Sequence, residues 1–213
     1  MTEGDTMNAQ LQQQSAKNIL AYRMAKLIRI LTLPPIMVGT ILFLLCLRND
    51  VYATPADFLL TFLGLSVIPV LSYPVQMVVP SLRRGGRKTQ RSLAFIFSFF
   101  GYGLALLSAW MRSAPANLVY VTAVYSLSLV LLTAINCLTP FHASGHACSL
   151  MGPLVLAGCF IGRVTVLPSI ILYVASLAAA LYMKRHTLSE FLLGSLSSIL
   201  AAIVCLFIIH PVF

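Results

Sequence analysis

Charge is scarce in this chain. Of 213 residues only 9% are charged, and the acids number five: Glu3, Asp5, Asp50, Asp57 and Glu190. A soluble domain carries roughly a quarter charged residues, so an ordinary water-soluble globule is excluded. The five cysteines (Cys46, Cys137, Cys148, Cys159 and Cys205) show no CxxC pair and no metal-type spacing. They read as small buried hydrophobes rather than as a disulfide framework or a zinc site. No internal repeat is present, which leaves an inverted-repeat transporter without support. The polar stretch from Met1 to Gln14 lacks the basic-then-apolar order of a cleavable signal peptide. It is expected to be a retained, partly disordered tail.

What the chain has instead is apolar length. Hydrophobic residues make up 59% of it, and the mean hydropathy is +0.93. With about 20 apolar residues per crossing, there is room for six or seven spanning helices and no separate soluble domain. The apolar runs fall near 28–47, 57–80, 92–111, 116–137, 147–162, 167–183 and 188–209. The expected fold is therefore an all-α, polytopic bundle of about six to seven spans over residues 28–213. Residues 1–27 are expected to form a polar tail and an interfacial helix, the segment from Ala16 to Arg29 setting Lys17, Arg23, Lys26 and Arg29 against an apolar side. Pro34, Pro35, Pro69 and Pro74 predict kinks in the first two runs. The fifth run is short and holds Gly152, Pro153 and Gly158.

The 14 basic residues give a net charge of +9. They sit in short loops between apolar runs, which favours phosphate-bearing lipid over nucleic acid as partner. Seven crossings would put 11 of the 14 on one face, leaving Arg48, Arg112 and Arg163 on the other. The positive-inside bias turns the first face toward the cytoplasm.

Three polar clusters fall on that face, each at the start of an apolar run. They are Arg83-Arg84-Gly-Gly-Arg87-Lys88-Thr89-Gln90-Arg91, His142-Ala143-Ser144-Gly145-His146 and Lys184-Arg185-His186-Thr187-Leu188-Ser189-Glu190. His186 and Glu190 are four apart, so the carboxylate can take the ring N–H and leave the other nitrogen as a nucleophile. A helix-capping role for Glu190 is the competing reading. Ser144 and Gly145 open a helix where N–H groups suit a phosphate oxygen, with His146 beside it. His142 reads as a solvated loop residue and His210 as interfacial. Arg84 and Arg91 are two helical turns apart and would form a two-armed clamp, with Arg87 between them and Lys88 adding positive potential. Together these groups suggest phosphoryl transfer. His186 attacks phosphorus in line, His146 protonates the leaving alcohol, and water opens the phosphohistidine. The arrangement requires no metal or other cofactor.

In this order the clusters resemble the type 2 phosphatidic acid phosphatase superfamily, whose motifs are K-x6-R-P, P-S-G-H and S-R-x5-H-x3-D. Arg84-x6-Arg91 matches the first with Arg for Lys and Ser92 for Pro; Ala143-Ser144-Gly145-His146 matches the second with Ala for Pro. His186-x3-Glu190 matches the third with Glu for Asp, while Ala179 and Ala180 stand where that motif has Ser and Arg. The resemblance spans about residues 84–194. It implies an integral membrane phosphatase acting on phosphatidate, phosphatidylglycerol phosphate or a polyprenyl diphosphate, with Lys184 or Arg185 replacing the missing arginine. The alternative is a catalytically silent relative that binds anionic lipid or a protein partner.

Overall fold

The computed structural model describes residues 19–48 and 50–209, with the side chain of Arg87 excepted. Lys17, all of the polar stretch from Met1 to Gln14 and His210 lie outside the described residues. Among those described, all regular structure is helical. Ile19–Leu31 forms α1, and Pro34–Leu45 forms α2. The expected run 28–47 is thus divided between two helices that meet at 50°. Leu33 is extended, as a residue before proline tends to be, and Pro34 and Pro35 start α2 where their missing N–H groups cost nothing.

The second run stays continuous. Pro55–Phe62 (α3) starts with a capping box between Thr54 and Asp57, and Ile68–Val78 (α4) completes the crossing. Between them Leu63–Val67 is a wide π-turn in which Ile68 N–H donates to Leu63 O. Pro69 has no N–H to continue the normal ladder, and the wider turn absorbs the mismatch. Pro80–Arg84 forms the short α5, and Gly86–Met111 forms α6. The remaining helices are α7 (Ala116–Leu138), α8 (Gly145–Phe160), α9 (Val166–Tyr182) and α10 (Leu188–Ile209).

Among the described residues, five helices are long and apolar enough to cross a membrane, or six if the bent α1–α2 pair counts as one span. The sequence count of seven is reduced because α8 has 16 residues, about 24 Å at 1.5 Å per residue, against a hydrocarbon core of about 30 Å. α8 is nevertheless buried in the bundle through Leu150, Leu156 and Ala147, against α10, α7 and α2. Large apolar side chains such as Phe100, Trp110, Ile171 and Phe207 point outward, as lipid-facing positions do. Cys148 and Cys205 are buried, but Cys46, Cys137 and Cys159 are exposed, contrary to the expectation from sequence.

The polar loops sort into two ends. At one, Asp57 accepts from Arg112 at 3.0 Å and Asn117 donates to Asp50, tying the loops before α3 and α7 together. At the other end lie α1, α5, the loop before α8 and the loop before α10. The candidate site is there.

Candidate functional site

Two anchors fix the loop between α7 and α8. Asn136, two residues before the end of α7, accepts from Ala143 N–H at 2.9 Å and donates to Ala143 O at 3.2 Å. Ser144 N–H then donates to the backbone oxygen of Glu190 at 2.8 Å. The Ser-Gly-His segment is thereby pinned between α7 and α10. Nothing in the sequence pattern singled out Asn136, because a two-way side-chain clasp on a loop seven residues away leaves no periodic signal.

At the start of α10, Nδ1 of His186 lies 3.1 Å from Oε2 of Glu190. The same oxygen accepts Thr187 N–H at 3.2 Å, and Thr187 Oγ1 accepts Glu190 N–H at 3.3 Å. Capping and histidine pairing, read from sequence as competitors, are made by one carboxylate together. With Glu190 ionised, Nδ1 carries the proton and Nε2 of His186 is left with its lone pair. His186 and Glu190 are 18% and 29% exposed, so the pair is shielded but reachable.

The pair borders a cavity of about 600 Å³. Arg29, Arg91 and Arg185 stand on its wall with His142, Gly145 and His146. The rest of the wall is largely apolar, including Leu65, Pro69, Phe95, Leu129 and Leu132. Guanidinium and imidazole groups together with many apolar side chains, and with serines such as Ser98 and Ser128 among them, make a wall that fits an amphiphile carrying an anionic head. Tyr125, also on the wall, is 3% exposed, and its hydroxyl is the one buried side-chain polar atom without a hydrogen-bond partner among the described residues.

Several residues singled out in the sequence are placed elsewhere. Arg84 ends α5 and is exposed, and neither it nor Lys88 borders the cavity. Gly86, at φ +57°, turns the chain between α5 and α6, so Arg84 and Arg91 do not share a helix and the two-armed clamp is not formed. The backbone of Arg87 is in α6. Ser144 is 2% exposed, and its hydroxyl accepts Ala147 N–H at 3.3 Å as the cap of α8, so it is engaged within the helix end rather than offered to a ligand. Gly145 is exposed on the wall beside it.

His146 is held by residues that the sequence reading passed over. Its Nε2 lies 3.2 Å from Thr32 Oγ1, just after α1, and 3.4 Å from Ser176 Oγ on α9. Ala180, where the resemblance calls for arginine, is packed with Ala147, Leu150 and Phe191. No cation reaches the site from that position. Among the described residues no three His, Cys, Asp or Glu side chains come together as a metal site. No family model matches the chain, and no curated protein or solved structure matches it either.

Proposed function

We propose that the protein is a membrane lipid phosphate phosphatase that works through a phosphohistidine. The observation that carries this reading is the His186–Glu190 pair at the wall of a largely apolar cavity that also holds Arg91 and Arg185. The lipid phosphate lies against the two guanidinium groups, which match its oxygens with forked donors. Nε2 of His186 attacks phosphorus as the bond to the lipid oxygen breaks. Glu190 stabilises the imidazolium that forms, and the first-turn N–H groups at Gly145 and His146, which have no partner within α8, face the growing negative charge.

His146 handles the proton. Its Nε2 is engaged with Thr32 and Ser176, so Nδ1 is the nitrogen available to substrate. Its imidazolium form, favoured once the phosphate's negative charge is beside the ring, gives the Nδ1 proton to the departing lipid alkoxide. In its neutral form it takes a proton from the water that attacks the phosphohistidine, releasing inorganic phosphate and restoring His186. The order of the three clusters along the chain, resembling the type 2 phosphatidic acid phosphatases, supports the same reading.

A silent, lipid-binding protein is the second reading. It is favoured by the apolar packing around Ala180 and by the capping role of the Ser144 hydroxyl, each of which removes a group expected at a working site. Phosphate release separates the two. In mixed micelles of phosphatidate, phosphatidylglycerol phosphate and polyprenyl diphosphate, with chelator present, the phosphatase reading requires release by the wild type and none by His186→Ala. Folded wild-type protein that releases phosphate from no lipid establishes the silent reading.

A further inference from the structure

The cavity wall carries polar groups well below its charged end. On α8, Gly152 follows Gly145 by seven residues, about 10 Å further along the helix. At that level the ring of Tyr125 packs so closely on α8 that a Cβ added to Gly152 would stand 3.4 Å from it. Ser128 and Ser198 border the same cavity. Their protons are used within the bundle, Ser128 donating to Val124 O at 2.6 Å and Ser198 to Cys148 O at 2.6 Å. The Tyr125 hydroxyl differs. Tyr125 borders the cavity and is 3% exposed, and no group among the described residues pairs with its hydroxyl.

A stranded buried donor discriminates between ligands. One that brings an acceptor to it gains a hydrogen bond, whereas one that brings hydrocarbon leaves the donor unpaired in a dry site. With a phosphate held at the Gly145 end, the occupant that fits has an acceptor a few bonds further in, followed by hydrocarbon. An acylglycerol phosphate has its groups in that order, because its ester carbonyls stand between the phosphate and the chains. A polyprenyl diphosphate places only hydrocarbon at that level.

We propose that Tyr125 is a specificity-determining residue of the cavity, donating its hydroxyl proton to an ester carbonyl of the bound lipid, so that acylglycerol phosphates are selected over polyprenyl diphosphates. This rests on the reading of the cavity as a lipid phosphate site. It narrows that reading to the lipids built on glycerol esters.

The test uses the full chain in nanodiscs of a dialkyl phosphatidylcholine, whose chains bring no carbonyl of their own. Binding of dioleoyl phosphatidate is compared with that of its dioleyl ether analogue, which keeps the phosphate and both chains but has no carbonyl. Dioleoylglycerol, with carbonyls and no phosphate, shows whether the phosphate is recognised. Wild type is expected to hold the ester about three- to tenfold more tightly than the ether, the range of one neutral hydrogen bond. Tyr125→Phe keeps the ring against Tyr102 and is expected to hold ester and ether alike, with thermal unfolding of the same sample showing that it is folded. A wild type that prefers phosphatidate to dioleoylglycerol but makes no distinction between ester and ether overturns the inference and leaves the lipid phosphate reading standing. An ester preference that persists in folded Tyr125→Phe overturns the assignment to Tyr125. No preference for phosphatidate over dioleoylglycerol overturns the lipid phosphate reading, and the inference with it.

Discussion

Gly194 packs directly beneath the carbonyl of Ser144. A Cβ built on Gly194 would fall far inside van der Waals distance of that oxygen, and close to the Ser144 carbonyl carbon and nitrogen as well. The absence of a side chain on α10 is what lets the cap of α8 settle against it, with Ser144 N–H on Glu190 O. Gly194→Ala must push the two helix starts apart, at a cost of about 1–3 kcal/mol for an overpacked contact. The expected result is a lower melting temperature and at least a tenfold loss of phosphate release, read by differential scanning fluorimetry and a turnover assay on the same sample.

Glu190 tests the histidine differently. Glu190→Gln keeps an oxygen for Thr187 N–H but loses the charge that, in the proposed mechanism, stabilises an imidazolium at His186. A fall in kcat of about ten- to a hundredfold with little change in KM is expected. A rise in KM with kcat unchanged would assign Glu190 to substrate binding instead.

Much of this corner was legible in the sequence, because His186 stands two residues before α10 and Glu190 in its first turn, and a four-residue spacing across a helix start keeps the two side chains within reach. The apolar runs were legible for the same reason, each being a local property of its own segment. What could not be read were relationships between segments. Ser144 as a cap and Ser144 as a phosphate ligand look identical in a tripeptide, and only the buried Ala147 N–H decides between them. Arg84 and Arg91 keep their seven-residue spacing in either case, but the turn at Gly86 removes its geometric meaning. Arg29 and Thr32 reach the site because α1 folds back on the start of α8, more than 100 residues later in the chain.

Restoring the arginine that the resemblance calls for should fail. Ala180 is 6% exposed and shares a small cluster with Ala147, Leu150 and Phe191, where Phe191 is fully buried. Ala180→Arg would place a charge among apolar side chains and is expected to lower stability without raising turnover. A gain in phosphate release with unchanged melting temperature would show that the slot opens to the cavity.

At the opposite end, the nearly buried Asp57 is paired with Arg112 and also accepts Thr54 N–H at 2.9 Å. Arg112→Ala leaves that carboxylate with one charged partner fewer and should destabilise by on the order of 2 kcal/mol. Because the pair is at the end of the bundle away from the cavity, turnover by the folded fraction should be unchanged. Combining it with Asp57→Asn should recover part of the loss in thermal unfolding.

Tyr125 gives a prediction of the opposite sign. Its hydroxyl is buried without a partner, and an unmade hydrogen bond of this kind costs about 1–3 kcal/mol. Tyr125→Phe keeps the edge contact with the Tyr102 ring, whose centroid is 5.8 Å away. The melting temperature of the ligand-free protein is expected to stay level or rise.

The 50° angle between α1 and α2 has a consequence for how the protein meets its bilayer. Two helices at that angle cannot both stand along the membrane normal, so one responds chiefly to the charge and packing of head groups and the other to hydrocarbon thickness. Since Arg29 and Thr32 belong to the first helix and the bundle to the second, the distance between the arginine and the histidines depends on both. A change in the angle between α1 and α2 would therefore move Arg29 and Thr32 relative to the histidines.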